Sequence, residues 1–350
     1  MGECLIVRRG GQAYKLPVLS ENYPQDVTLV ASANGSATFS VQITEPGSPA
    51  EYTYKWYKGG NLVSGTTGAT LNLTGLTAAT TTTVYCEVTN KAGTVTSRVA
   101  TLTVRDWKPV YSYTGNAQLI DDGNYNWRIK FLTSGTLRFT SLGNASTIDV
   151  FCVGGGGAGT YAMSDHGGGG GAGGYTQTST EFSVSLNTAI SIIIGAGGIN
   201  PSNNSGATGG TSSFGAITAA GGQSRKVNTT NCGNGGSGAG QLGYYDVSGN
   251  SCKGGSDGGN AAVVASGSGY GQGNTTREFG EASGTLYSGG GSGANRGGGT
   301  TVIAGGAGGG GNGGPGTAGG TNTGGGGGGA VAESGGGAGG SGIVVIRNHR

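Results

Sequence analysis

A chain of 350 residues with 83 glycines, 7 prolines and a formal charge of +2 is neither collagen nor a helical membrane protein, because glycine does not recur at every third position and no run approaches about 18 apolar residues. Positions 1–153 hold 15 of the glycines and positions 154–350 hold 68, so the chain is at least two parts joined together. Each part is close to neutral, with 12 Lys and Arg against 10 Asp and Glu before residue 154 and seven against seven after it, a poor match for nucleic acid or an anionic bilayer.

Residues 1–24 contain one short apolar run, Cys4–Val7, and prolines at 17 and 24; they read as an N-terminal docking arm. Too few apolar residues precede Arg8 and Arg9 to form a secretory signal, so synthesis in the cytoplasm without a signal peptide is expected. Residues 25–105 alternate strand-like runs with turn chemistry. The runs are Val27–Ala31, Ala37–Ile43, Tyr52–Tyr57, Thr70–Leu73, Val84–Thr89 and Val95–Val104, separated by Asn34-Gly35, Pro46-Gly47, Lys58–Asn61 and Asn90–Gly93. About seven short strands in about 80 residues predict a β-sandwich. Tyr54–Lys58, Leu71–Leu73 and Val84–Asn90 together resemble an immunoglobulin-like domain. The resemblance implies that Trp56 is the core tryptophan of one sheet and Cys86 the cysteine of the strand beside it. The opposite cysteine position falls near Val41, and Val84 stands where a corner tyrosine belongs, so the inter-sheet disulfide is missing and Cys86 is expected to be a small buried hydrophobe.

Residues 106–153 supply leading strands at Val110–Tyr113, Trp127–Leu132, Thr136–Thr140 and Ile148–Val153, with turns at Asp121–Asn124 and Ser134-Gly135. Beyond them Glu181–Leu186, Ala189–Ile194, Ser212–Ala219 and Gly342–Arg347 punctuate the glycine. A helical period is absent throughout, and the fold expected is all-β: a sandwich followed by a β-rich domain over 106–350 with extended, polyglycine II-like insertions.

The insertions pose an energetic problem. Ordering their glycines costs on the order of 70–140 kcal/mol at about 1–2 kcal/mol per residue, and glycine has no side chain to offset it. Either the tracts are flexible linkers, or their backbones pair in an extended three-residue-per-turn form in which missing Cβ atoms let chains approach. Interruption by strands, by tyrosines and by patches such as Ala261–Ala265 favours the ordered form, with non-glycine loops carrying the function.

Ile148–Gly157, Ser191–Gly198, Gly210–Gly222 and Gly342–Arg347, taken in order, resemble the glycine-rich domains of bacteriophage tail fibres and adhesins. Gln118–Leu132 and Gly271–Tyr287 are similar to tail proteins of phages of Gram-positive bacteria. The resemblance implies a non-enzymatic receptor-binding protein at the virion tail, released by lysis, that engages a bacterial surface glycan or protein to begin host attachment. Its further partners would be other tail proteins, met through residues 1–24, and copies of itself, for instance in a trimer. Two other readings stay open: a structural surface or filament subunit of a bacterium, and a glycan depolymerase.

Recognition needs aromatics with adaptable polar neighbours. The candidate receptor-binding residues are Tyr161, His166, Arg225, Lys226, Tyr244, Tyr245, Tyr270, Arg277 and Glu278, with the stretch 223–256 foremost. A depolymerase would need two carboxylates, and Glu278 with Glu281 is the close pair in the glycine-rich half; a solvated turn in which Arg277 pairs with one of them is the plainer reading. Gly154–Gly159 satisfies GxGxxG after a strand, yet no helix follows to hold a pyrophosphate. Five widely spaced cysteines and two histidines provide no metal-ligand spacing, and whether Cys232 and Cys252 are bridged is left open. Neither cofactor nor metal is expected.

Overall fold

The computed structural model describes residues 6–9, 11–161, 168–199, 206–224, 233–240, 276–294, 302–331 and 335–350. Among them the chain is all-β, and the single helical element is a 3-10 turn at Glu278–Gly280. It divides into two compact units, Met1–Pro109 with Leu142–Asn144, and Val110–Ser141 with Ala145–Arg350.

The first unit is built from β1 (Ile6–Arg9), β2 (Gln12–Lys15), β3 (Val18–Leu19), β4 (Val27–Val30), β5 (Ala37–Ser40), β6 (Ile43–Glu45), β7 (Thr53–Lys58), β8 (Asn61–Leu62), β9 (Thr70–Leu73), β10 (Thr80–Asn90), β11 (Gly93–Thr96) and β12 (Ala100–Arg105). One sheet runs β4-β12-β10-β7-β8, with β11 on β10, while β5 pairs β9 and β3 pairs β6. Alternation along β10 places Val84, Cys86 and Val88 inside, where they meet Phe39, Trp56, Leu71 and Leu102. Trp56 lies opposite Cys86 in the ladder and donates its indole N–H to the Gly68 carbonyl at 3.1 Å, so the one polar atom of this large core side chain is satisfied. Residues 15–24 are not a separate arm. Lys15 exchanges backbone hydrogen bonds with Ser48, Ser20 donates to Gln42, and Arg98 donates to the Pro24 carbonyl, which ties this segment into the first unit.

The second unit begins with β13 (Val110–Tyr113), β14 (Ala117–Gly123), β15 (Asn126–Phe131), β16 (Gly135–Ser141) and β17 (Ile148–Val153), and continues with β18 (Thr176–Phe182), β19 (Ile190–Ile193), β20 (Ser212–Phe214), β21 (Ile217–Ala219) and β22 (Ile343–Asn348). One antiparallel sheet runs β14-β15-β22-β17-β18 and the other β13-β16-β19-β20-β21. Every residue of β17 is buried, so both faces of its sheet are covered. The β14–β15 turn sits two residues later than its sequence indicates. Asn124 and Tyr125 take φ of 52° and 61°, the left-handed pair that a two-residue hairpin needs. The alternating run Glu181–Leu186 is also displaced: the strand is Thr176–Phe182, and Glu181 at φ 55° lies at its end.

Glycine-rich runs connect these strands and pack against one another. Along the run after β17, Gly154, Gly157 and Thr160 donate to Tyr175, Ala172 and Gly169; Gly155 and Ala158 donate to Gly210 and Ala207; Gly156 and Gly159 donate to Gly340 and Gly337, all at 2.8–3.0 Å. Successive amides thus turn to three different neighbours and return to the first after three residues, the repeat of an extended three-residue helix. Its carbonyls serve further neighbours: Gly155 accepts from Gly222, Gly156 from Gly198, and Gly157 from Gly327. Buried backbone groups are therefore paired without any sheet. Space, not backbone freedom, demands glycine here. A Cβ on Gly171 would stand 2.5 Å from the Gly157 carbonyl carbon, against 3.4–4 Å for ordinary contact, whereas positive φ is found at turn glycines such as Gly308 and Gly324. Outward positions three apart carry side chains instead, as at Ala196 and Ile199, Thr208 and Thr211, and Ala318 and Thr321.

Candidate functional site

The lattice has two unlike ends. At one, Gly154, Gly195, Gly324 and Gly342 adjoin the strands and are cross-bonded: Gly342 donates to Gly195, and Gly324 to Ser341. Six residues further along, Thr160 donates to Gly169, Gly168 and Thr160 bracket Ala330, and Ala294 donates to Gly168. Ala207 pairs with Ile199 and Gln223 with Asn234 toward that same end. The residues flanking stretches 162–167, 200–205, 225–232, 295–301 and 332–334 therefore gather away from the strands. Tyr161 stands there, half-buried. His166, Arg225, Lys226, Tyr244, Tyr245 and Tyr270 lie outside the described residues.

Arg277 and Glu278 belong elsewhere, and Glu278 is a correction. It is 3% exposed and sits in a strap, residues 276–287, laid across one face of the β14-β15-β22-β17-β18 sheet. The reason is the alternation in β15. Trp127, Ile129 and Phe131 turn to the inter-sheet core, which leaves Arg128 and Lys130 on the other face beside Arg347 of β22. Cations on a covered face need anions. Glu278 accepts from Arg128, from Lys130 at 2.7 Å and from the Tyr287 hydroxyl at 2.5 Å. Glu281 pairs with Arg347, whose Nε also lies 2.9 Å from Asp149, and Asp122 holds Arg128 and Arg350. Phe279 lies under the Arg347 guanidinium, 4.1 Å from its ring centroid, and packs with Phe151, Tyr287, Val345 and Ile343. Arg277 does not supply the partner of Glu278; its guanidinium donates to the Gly284 carbonyl.

Burial alone would raise the Glu278 carboxyl, but the hydrogen bonds from Lys130 and Tyr287 and the charges of Lys130 and Arg128 outweigh it and hold the group below the usual range. Asp149 behaves alike: burial raises it, and the bonds from His349, Arg347 and the Glu181 amide lower it further than that. Glu278 is buried and bonded to Arg128, Lys130 and Tyr287, and Glu281 is held by Arg347, so the two carboxylates fasten the strap. The signal for this site was present in Arg128-Ile129-Lys130, two cations on one strand face, but their partners lie about 150 residues away in sequence.

Among the described residues, no group of three or more His, Cys, Asp or Glu is placed to hold a metal ion, and no helix is long and apolar enough to cross a membrane. No curated protein matches the sequence. The family model of the glycine-rich domain matches residues 132–349, a span that runs from the end of β15 through the whole lattice to the C-terminal strand. The chain belongs to the glycine-rich domain family.

Proposed function

We propose that this protein is a non-enzymatic bacteriophage tail-tip adhesin that starts host attachment by binding a glycan or protein of the bacterial surface. The observation that carries the reading is the polarity of the lattice: runs rooted in strands at one end, and the flanks of the non-glycine stretches gathered at the other. Such an arrangement holds varied sequence on a stiff base, which is how loops serve recognition elsewhere. The first unit is read as an immunoglobulin-like spacer. Its parallel β4–β12 pair, its β5–β9 pair and the Trp56–Cys86 neighbours support that reading. Several copies on one appendage would add weak contacts into firm attachment.

The test is adsorption. Purified protein is expected to bind cells of one bacterial strain and to block infection by the parent phage. Exchange of residues 223–256 is expected to change which strain is bound. Long polymers formed by the protein alone, with no cell binding, would favour a filament subunit and overturn the proposal.

A further inference from the structure

Residues 276–287 are attached differently from the glycine run that begins at Ser288, whose amide donates to Thr323. Gly280 donates to Arg277, Glu281 to Glu278 and Tyr287 to Thr276, so these backbone hydrogen bonds close within the segment. An isolated bridge between Arg277 and Leu286 closes the loop again, and the stretch 282–285 is exposed. What fastens the strap to the sheet is side chains: Glu278 to Arg128 and Lys130, Glu281 to Arg347, Tyr287 to Lys130 at 3.0 Å, and the ring of Phe279 beneath Arg347. Phe279 takes a φ of 56°, a left-handed conformation that an aromatic residue keeps only when its surroundings impose it. The lattice is the opposite case. Its described runs contain no Asp, Glu, His, Lys or Arg, and they hold together by neutral backbone hydrogen bonds.

We propose that residues 276–287 are an acid-released latch: they leave the sheet as a unit when Glu278 is protonated, while the glycine lattice stays intact. Neutral Glu278 takes from Lys130 the carboxylate it pairs with on a covered apolar face and leaves Arg128 to Asp122 alone, which strongly destabilises the docked state. The groups facing the latch are Arg128, Lys130 and Arg347, themselves held by Asp122, Asp149 and, through Asp122, Arg350; His349 bridges Asp149 and Glu181. Acid weakens this supporting ring in the same direction, since Asp149 must also be ionised to hold Arg347. Opening uncovers an apolar strip of Phe151, Val153, Ile343 and Val345 bordered by three cations, and it loosens the entry from Tyr287 into the run that starts at Ser288. The latch does not depend on the adhesin reading.

The sign follows from linkage. Glu278 has its folded pKa below the ordinary 4.5, so its contribution is complete above that value and is lost as pH falls through the folded one. Hydrogen-exchange protection factors of the full-length protein, measured from pH 7 to pH 3, test the proposal. Protection at residues 278–287 is expected to fall at least tenfold below about pH 4.5 while that of residues 154–160 and 324–330 holds. The variant Glu278→Gln is expected to show the same loss at pH 7, again with the lattice unchanged. Simultaneous loss in strap and lattice, or a strap protected down to pH 3, would overturn it.

Discussion

The two halves of this molecule solve the folding problem with opposite materials. In the first unit the interior is side chains: Trp56, Phe39 and Leu71 are fully or almost fully buried, and the backbone pairs in ladders around them. In the lattice the interior is backbone, and the side chains it admits are small: Ala158, Ala172 and Ala330, with Ser237, Ser292 and Thr160. A side-chain core tolerates volume changes by repacking, because neighbours can switch rotamer. A backbone core has no rotamers to switch. Each added carbon meets a carbonyl that is already committed to a hydrogen bond, so the lattice is expected to be far less tolerant of substitution than the sandwich.

Substitutions probe this contrast directly. Gly171→Val is expected to abolish the lattice, since the Gly157 carbonyl it would strike cannot retreat without breaking the bond from Gly327. The cost exceeds the roughly 1–3 kcal/mol of ordinary overpacking. Loss of exchange protection across the glycine runs, with the first unit still folded, is the readout; a variant with normal protection would show that the lattice yields as a side-chain core does. Trp56→Ala is the counterpart and is expected to cost about 3–5 kcal/mol through its cavity. A lowered melting transition of the first unit, with protection unchanged at 154–160, checks it. A milder change is Gly60→Ala, at φ 79° with nothing within 4 Å of the added carbon. It is expected to cost about 1–2 kcal/mol from the left-handed backbone alone, seen as a small shift in denaturant midpoint. The comparison with Gly171 separates what glycine does by freedom from what it does by absence.

The smallest effect concerns the thiols of Cys86 and Cys152, both free and buried. Burial pushes each up to about 12 from an ordinary 9.0. A raised thiol pKa means that stability is full below the unfolded value of 9.0 and declines as pH rises from there toward 12. Neither residue should be alkylated in native protein at pH 8, and both should react once the chain is unfolded, as peptide mass mapping would show. Reaction of Cys86 in the native state would mean that the sandwich core opens readily.

Much of the strand framework was legible. Val110–Tyr113 and Ile148–Val153 begin and end where their apolar patterns do, and Thr70–Leu73 does too. Errors arose where a continuous pattern hides a break. Val95–Val104 is two strands, because Ser97 turns inward and its hydroxyl accepts from the Cys86 amide. Ser212–Ala219 is a hairpin turned by Gly215 at φ 54°. Glu278 misled for a different reason. Its sequence neighbour Arg277 is a ready partner, whereas the true partners, Arg128 and Lys130, come to it only through the sheet.

From the order of residues alone one could tell that the chain divides into unlike parts, that it is built of strands and turns, and that its glycines are paired in a three-residue extended form or not ordered at all. Those conclusions rest on local chemistry: alternation, turn residues, and the entropy that unpaired glycine must lose. The choice of neighbours was decided by the tertiary structure, as was the burial of an acidic strap on a cationic sheet face. A glycine run carries almost no side-chain information about which run lies beside it, so the pairing is set where the runs are rooted in strands such as β17, β19 and β22, whose registers are specific.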